Sequence, residues 1–555
     1  MIQTMKQQLK DAIIGYYGNT DLNVVVEEPK RGNADLAVPL FALVKQLNKK
    51  MPELVEEISA IVLKAELIES ATFLNGFLNM SIDKVKFSKL VLDQVFEEQS
   101  DYGKDEILKT VCIDYSAPNI AKSFSIGHLR STMIGNALKN IYSKLGYKVV
   151  GINHLGDWGT QFGKMIVAYK LWGNRALIES NPITELQKLY VKFHEEVEAN
   201  PSLEDDARKV FKQLEDGDQD TLALWQYFRD ESLKEFMSMY DLLGVSFDTY
   251  DGESFYNDKM EPIADKLDEL GLLVEDDGAM IVRLENLPPA LIKRRDGATL
   301  YITRDLAALF YRYNTYHFDK VLYVVGNEQK LHFEQLAAVT KLMGHQFDIE
   351  HVNFGLVLQD GKKMSTRGGR VVKLYDVIKE AINQAELAIT AKNPNLTDKE
   401  KVAKAVGIGA VIFNDLKNDR NLEIEFNLEQ MLAFEGQTGP YLQYSSVRIA
   451  SILKQQTLKP LTDFNIFNEP LYFELIKQIA SFNQTLKKAV EVNGPHVLSR
   501  YLLQLSQTFN QFYGQHKIIT EDEAVKNANL HLIQAIRTIL NEGLRLLGMT
   551  ALDEM

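Results

Sequence analysis

Hydrophobic and polar positions along this chain change period several times, and each change predicts a change of architecture. The opening segment MIQTMKQQLKDAIIGYY has helical spacing, DLNVVVEEP alternates as a strand does, and LAVPLFALVKQLNKKMPELVEEISAIVLKAE is helical again. ATFLNGFLNMSID predicts two strands broken at Gly76, and FSKLVLDQVFEEQSDYG predicts a helix closed by Gly103. Residues 1–108 are therefore expected to form a small α+β domain. At Thr110 the pattern becomes that of a short buried strand, TVCIDYS. A loop with Pro118, a helix over GHLRSTMIGNALKNIYSKLG stopped by Gly146, and the strand YKVVGINHLG follow. A strand–loop–helix–strand unit is the building block of a parallel sheet with helices on its faces. From about 165 to 290 the chain is charged and helical and reads as an insertion. Strand patterns return in LYITRD, KVLYVVG and VNFGLV, and from about 400 the rest reads as almost wholly helical with aromatic stripes. The expected division is thus 1–108, an α/β domain over 109–400 and an all-α bundle over 401–555, with no internal repeat.

Composition narrows the class. With 45% hydrophobic and 25% charged residues the chain is ordinary globular material, and 555 residues suggest about three or four domains. No run approaches the ~18 apolar residues of a membrane helix, so no membrane span is expected. One cysteine, Cys112, excludes an internal disulfide and any zinc site that needs several thiolates. The N-terminal segment lacks the basic start and continuous apolar core of a signal peptide, so the cytoplasm is the expected compartment. The net charge of −14 argues against a surface coated for non-specific nucleic-acid binding. Basic and acidic residues nearly balance over 401–555, so a polyanionic partner is expected to dock partly at that end.

The loop after the first buried strand, DYSAPNIAKSFSIGH from Asp114 to His128, carries the most chemistry. In an open parallel sheet, ligands bind beyond the carboxyl ends of the strands, and this loop feeds a helix N-terminus, which favours phosphate. Gly127 permits close backbone approach, His128 offers an imidazole donor and Lys122 a positive charge. On these residues alone a capped helix with a solvated lysine accounts for the pattern equally well. A second loop, GKKMSTRGGR from Gly361 to Arg370, combines dense positive charge with glycines and suits a mobile phosphate clamp; alone it reads more readily as an exposed basic turn. Two other segments mislead. GTQFGKM (159–165) has one residue too few between its glycines for a P-loop, and Met165 where Ser or Thr would be needed. HEEVE (194–198) lacks the second histidine of a zinc helix, so no metal site is readable.

Together the two loops resemble the HIGH and KMSKS motifs of class I aminoacyl-tRNA synthetases, here SIGH (125–128) and KMSTR (363–367). The flanking blocks SAPNIAKSFSIGHLRST, NHLGDWGTQFGK, LYITRDLAA, FEGQTGPYLQYSSVRIASIL and GLRLLGMTALDEM resemble those of arginyl-tRNA synthetases, in order and over essentially the whole length. The resemblance implies an α/β multidomain protein: a Rossmann-type parallel-sheet catalytic domain with a helical insertion, a small N-terminal α+β domain that binds the tRNA elbow, and a C-terminal helical anticodon-binding bundle. It also implies the chemistry. L-arginine and ATP with Mg2+ form an arginyl adenylate, a step that needs bound tRNA in this family, and the arginyl group passes to the 3′-terminal adenosine of the matching tRNA. No permanently bound cofactor, no metal site and a monomer are implied.

Carried over by motif, Asp114, Ser116, Asn119, His154, Tyr301, Asp305 and Gln329 are implied to bind arginine. Tyr301 and Asp305, four apart, would share a face if that segment turns helical, and a planar cation wants a carboxylate and oxygen acceptors in a fixed fork. Without the flanking blocks, the two would pass as a packing and capping pair. ATP contacts are implied for Pro118, Lys122, Gly127, His128, Lys363, Met364 and Ser365, with His154, Gly156, Asp157 and Gln161 at the pocket floor. Ser125 replaces the first histidine of HIGH, and Thr366 replaces the second lysine of KMSKS. Lys122 occupies the place of a lysine thought to compensate for the latter, so Lys122, Ser125, His128 and Lys363 form the implied catalytic set. For tRNA the resemblance implies Phe77 and Asn79 at the elbow, and Tyr441, Tyr444, Arg448, Tyr501 and Met555 at the anticodon, with Gln437 nearby. For most of these aromatics, taken alone, ordinary helix-bundle core is the readier reading, and a plain strand-turn is the alternative at Phe77 and Asn79. Another class I nucleotidyl-transferring enzyme would be expected to lack the YITRD and TGPYLQY blocks. A non-catalytic tRNA-binding relative would be expected to have lost more than one motif histidine.

Overall fold

The computed structural model describes every residue except 30–33, 123, 295–300, 365 and 368–369, and only the backbone of 366, 367, 370 and 371. In the N-terminal part, Leu74 pairs with Phe77 across Asn75 and Gly76, whose φ values of 52° and 85° make the tight turn that an Asn-Gly pair favours. The strands Leu36–Pro39, Phe77–Ile82 and Ile68–Leu74 form an antiparallel sheet in that order. Met5, Leu9 and Ile13, spaced by four along the helix Ile2–Tyr17, share one core with Leu36, Leu78 and Met80. The helix Lys84–Glu98, closing the sequence-defined first unit, instead leans on the C-terminal helices: Phe87 packs edge-on against Phe473, and Phe96 lies against His531.

A parallel sheet organises the centre. Its strands run in the order Asp348–His351, Lys320–Tyr323, Thr110–Asp114, Lys148–Ile152. The first of them in sequence lies inside the sheet, and the chain extends to one side and later to the other. The order therefore reverses between Thr110–Asp114 and Lys320–Tyr323, and a crevice opens beyond the carboxyl ends of those two strands. The helix Ile126–Lys144 starts at this crevice and is buried on most of its circumference. Gly135 allows it to lie against the strand end, since a Cβ there would come within 2.3 Å of the Tyr115 ring.

Several segments depart from the sequence pattern. DLNVVVEEP makes only an isolated bridge, Glu27 to Ala37; Leu36–Pro39 is a strand at the head of a stretch that reads as helical; and of VNFGLV only Val357 belongs to a strand, Val357–Gln359. YITRD, the described part of the strand-like LYITRD, opens the helix Tyr301–Tyr316. Ile302, Leu306 and Leu309 are buried at spacings of three and four, so burial over sixteen residues outweighs local β propensity. The insertion is helical only in part. Five helices between Gln161 and Leu243 are followed by an antiparallel sheet of Leu273–Asp276, Ala279–Val282 and Ala290–Lys293. These four-residue strands are too short and too exposed to show a clear alternation. Among the described residues no helix is long and apolar enough to cross a membrane.

The expected boundary at 400 falls at the second residue of the helix Lys399–Leu416, which packs against the helix Leu374–Lys392. These two helices share a core of Ala385, Ile389, Val402, Ala403 and Val406. The helix Lys399–Leu416 is tied to the helix Ile126–Lys144 by a buried pair: Arg130 Nε donates to Asp415 Oδ1 at 3.0 Å, and Arg130 Nη1 donates to the carbonyls of Gly355 and Leu422. Both side chains are about 1% exposed. Asp415→Ala leaves the guanidinium charge uncompensated, which is expected to cost about 3–5 kcal/mol. A urea midpoint close to that of the wild type would contradict this.

Candidate active site

A cavity of about 740 Å³ occupies the crevice. It brings together twelve residues of the sequence-derived set from five separate stretches: Asp114, Ser116, Asn119, Ser125, Gly127 and His128; His154 and Gly156; Tyr301 and Asp305; Gln329; and Lys363. The loop between strand and helix is bent by left-handed backbone at Ser116, Ala117 and Ala121 (φ 74°, 40° and 60°), conformations costly for residues with a Cβ and concentrated at functional sites. Gly156 faces Asn119 so closely that a Cβ would lie 2.2 Å from the Asn119 side-chain oxygen.

At the phosphate-favouring wall, Ser125 is the N-cap of the helix and His128 its third residue. The Ser125 N–H donates to Nδ1 of His128 at 3.1 Å. Nδ1 is therefore the acceptor, and the ring proton sits on Nε2. Burial, together with the charge of Lys122, pushes the imidazole down to about 4, so His128 is neutral at pH 7. Ser125, in place of an imidazole, thus starts the helix and orients the histidine that remains. Lys122 itself is exposed beside the cavity, near enough to act on His128.

The opposite wall is acidic and carefully compensated. Asp305 Oδ2 lies 2.5 Å from His332 Nε2, and Oδ1 lies 4.0 Å from His154 Nε2. Asp114 is paired with the buried Arg312 at 2.8 Å, so it enters the cavity as a neutral couple. Glu253 stands 3.7 Å from Arg304, and burial lifts its carboxyl to about 7 despite that arginine. Tyr301 is largely exposed at the rim, and Gln329 stands in the short turn Asn327–Gln329.

Some expected members have other places. Ser116 lines the cavity, but its hydroxyl is engaged by Thr132 and Tyr240, each at 2.8 Å. Pro118 is buried, and its carbonyl accepts the Gly156 N–H. Met364 is buried at the root of the basic hairpin, where its N–H donates to Val357. Asp157 lies outside the cavity and clasps the insertion, accepting from Arg229 at 3.0 Å and from the Ser254 hydroxyl at 2.9 Å. Gln161 begins the next helix. Ser365 lies outside the described residues. Among the described residues no cluster of three or more His, Cys, Asp or Glu side chains is arranged to hold a metal ion.

A second cavity, of about 770 Å³, lies at the C-terminal end and gathers Tyr441, Tyr444, Arg448 and Met555 with Lys392, Phe434 and Asn510. The Arg448 guanidinium lies 5.0 Å from the rings of both Tyr444 and Tyr513 and is hydrogen-bonded to Asn510. Tyr501 does not join them: its hydroxyl donates to the Gln478 carbonyl at 2.8 Å, beside Met1. Gln437 is not part of this cavity either; its carbonyl accepts from Lys417. In the N-terminal sheet Phe77 is exposed and Asn79 half-buried two residues on, so both lie on its outer face, with Phe41 and Phe73 also exposed nearby.

Comparison with known proteins decides the family. The model of "tRNA synthetases class I (R), catalytic domain" matches residues 91–428, that of the "Arginyl tRNA synthetase N terminal domain" residues 3–82, and that of the "DALR anticodon binding domain" residues 442–555. The chain belongs to the arginyl-tRNA synthetases. The arginine–tRNA ligase of Exiguobacterium sibiricum is 49% identical over 100% of this chain and 99% of its own length; that of Ligilactobacillus salivarius is 49% identical over 99% of both. In fold the chain is similar to Thermus thermophilus arginyl-tRNA synthetase, with a TM-score of 0.84 at 23% identity over 100% of both chains. The Plasmodium falciparum arginyl-tRNA synthetase gives 0.81 at 25% identity over 100% of this chain and 99% of the other. As a member of this family the chain is an ATP-using ligase that joins arginine to tRNA.

Sequence reasoning missed Glu253, Arg304, Arg312 and His332. Two of these carried a signal. Arg312 is seven residues after Asp305 on the same helix, a charge placed on an otherwise apolar face, and His332 is three residues after Gln329. Glu253 gives no periodic signal, because a loop of the insertion carries it in.

Proposed function

We propose that this cavity forms arginyl adenylate, with the arginine side chain on the acidic wall and the ATP phosphates at the helix N-terminus. The observation that carries the assignment is the placement of Asp305 and a neutral, proton-donating His128 in one cavity. An alkyl cation fits between a carboxylate and a phosphate-binding helix end, with its own carboxylate directed at the α-phosphate.

In this reading Asp305, Glu253 and the hydroxyl of Tyr301 accept from the guanidinium, while Asn119 and Gln329 hold the α-amino end. Lysine is rejected because a single ammonium leaves part of this acceptor set unpaired. ATP arrives as its Mg2+ complex. As the arginine carboxylate attacks and pyrophosphate leaves, negative charge grows on the phosphates. His128 Nε2–H, Lys122 and Lys363 stabilise that charge, and the enzyme's task is positioning and electrostatics. The arginyl group then passes to the 3′-terminal adenosine of tRNA. Phe77 and Asn79 meet the tRNA elbow, and Tyr441, Tyr444, Arg448 and Met555 meet unpaired anticodon bases.

The first step requires bound tRNA, a reading supported by one connection. The backbone next to the basic hairpin bonds to the signature loop: Leu374 N–H to Phe124 O at 2.9 Å, and Ile126 N–H to Val372 O at 3.4 Å. The helix starting there ends at Lys392, which lines the C-terminal cavity. In this reading the enzyme acts as a monomer, and the cytoplasm is its place of action.

Charging of total tRNA with labelled arginine or lysine tests the assignment: arginine alone is expected to be incorporated, and lysine incorporation would contradict it. Lys122→Ala is expected to lower kcat about 10²-fold with little change in the arginine KM, since the ammonium acts on charge that develops only in the transition state. An unchanged rate would remove Lys122 from the catalytic set.

A further inference from the structure

The two oxygens of Asp305 have different surroundings. Oδ2 is held at 2.5 Å by Nε2 of His332, from the helix Lys330–Leu342. Oδ1 is left with His154, whose Nε2 stands 4.0 Å away, beyond hydrogen-bond reach. Asp305 and His332 both line the cavity, each with about a quarter of its side-chain surface exposed (24% and 23%).

We propose that His332 is a positioning residue for arginine selection: by donating Nε2–H to Oδ2 it fixes the plane of the Asp305 carboxylate and leaves Oδ1 to accept from the substrate guanidinium. The proposal rests on the arginine-activating reading above. Arginine differs from lysine in the planar fork of its donors, and a carboxylate free to rotate would not distinguish the two. With one oxygen held by the protein, the other meets the guanidinium at a set angle, and Glu253 supplies a second acceptor.

The arrangement has a sign in pH. Burial alone would lower the His332 imidazole, but Asp305 raises it, and the net direction is upward. Burial would raise Asp305, but His332 and then His154 and Arg312 lower it, and the net direction is downward. The other charged groups here are Glu253, paired with Arg304 across the cavity, Asp114, paired with Arg312, and Glu328 on the same wall. An arriving guanidinium puts a permanent positive charge on Asp305 and loosens its hold on the His332 proton. Binding therefore releases a proton in the range between the free and bound values, and the arginine KM rises as pH falls through that range.

Steady-state tRNA charging between pH 5.5 and 8.5 tests this with the wild type, His332→Ala and His332→Gln, each shown to be folded by its thermal melt. His332→Ala is expected to raise the arginine KM about tenfold while the ATP KM moves by about twofold or less. In His332→Gln the side-chain amide can still donate to Oδ2. That variant is expected to recover most of the arginine KM at pH 8 and to show a smaller rise at low pH, the part that remains coming from protonation of Glu253. An unchanged arginine KM in His332→Ala, or the same low-pH rise in His332→Gln, would overturn the proposal. A wild type that charges no arginine at any pH would instead overturn the reading on which it rests.

Discussion

Asp305→Asn is expected to lower kcat/KM for arginine by two to three orders of magnitude, almost entirely through the arginine KM. The substitution keeps the size of the side chain and removes its charge. In the proposed reading the carboxylate balances His332 and receives the guanidinium inside the cavity. Removing one partner of such a pair costs about 3–5 kcal/mol, because the remaining charge is left uncompensated. Each factor of ten corresponds to about 1.4 kcal/mol, which sets the range. His332 loses its main partner at the same time, and its imidazole returns toward the value that burial alone would give. Glu253 remains, so arginine binding is weakened rather than abolished. Isothermal titration with arginine and steady-state charging give the same ratio if Asp305 acts on the ground state and the transition state alike. A change confined to kcat would show that Asp305 acts on the reacting atoms instead.

His128→Ala is expected to act in the opposite way, lowering kcat by about 10²–10³ with the arginine KM nearly unchanged. The imidazole is neutral and its Nε2–H is fixed by the bond that Nδ1 accepts from Ser125. It is thus a pre-oriented donor for phosphate charge that grows during adenylate formation. The alanine variant also removes the acceptor for the Ser125 N–H and so weakens the helix start. Glutamine separates the two roles. At the third helix position its side-chain carbonyl can accept the Ser125 N–H, the role Glu or Gln plays in a capping box, while its flexible amide NH2 replaces the fixed imidazole Nε2–H. His128→Gln is therefore expected to recover the thermal stability lost in His128→Ala and to remain slow. A glutamine variant near wild-type rate would show that the rate does not depend on the fixed imidazole donor. The imidazole lies at about 4, so this group contributes no rate change between pH 6 and 8.

Three of the four central strands, the signature helix and the Asn-Gly hairpin were legible because each has a local cause: a short apolar run, a capped helix start, a turn dipeptide; the fourth strand, Asp348–His351, is mostly polar and has no such run. The site was legible where a motif lies within a few residues of itself, as at 114–128, or where helical spacing aligns Tyr301 with Asp305. The same sequence misled where local preference and packing disagree, as at YITRD, strand-like in composition yet helical over a buried face. The pairings between distant segments gave no signal. Arg130 and Asp415 are 285 residues apart, and Asp305 and His332 sit on different helices. Each of these charges reads as surface until its partner is known. Ser125 shows the reverse case: as a motif residue it is a departure, and in the fold it is the cap that orients His128.

ATP–pyrophosphate exchange with each amino acid, run with and without total tRNA, tests the adenylate-forming assignment most directly. Exchange with arginine only, and only when tRNA is present, is the expected result. Exchange driven by another amino acid, or none at all from folded protein under any condition, would contradict it.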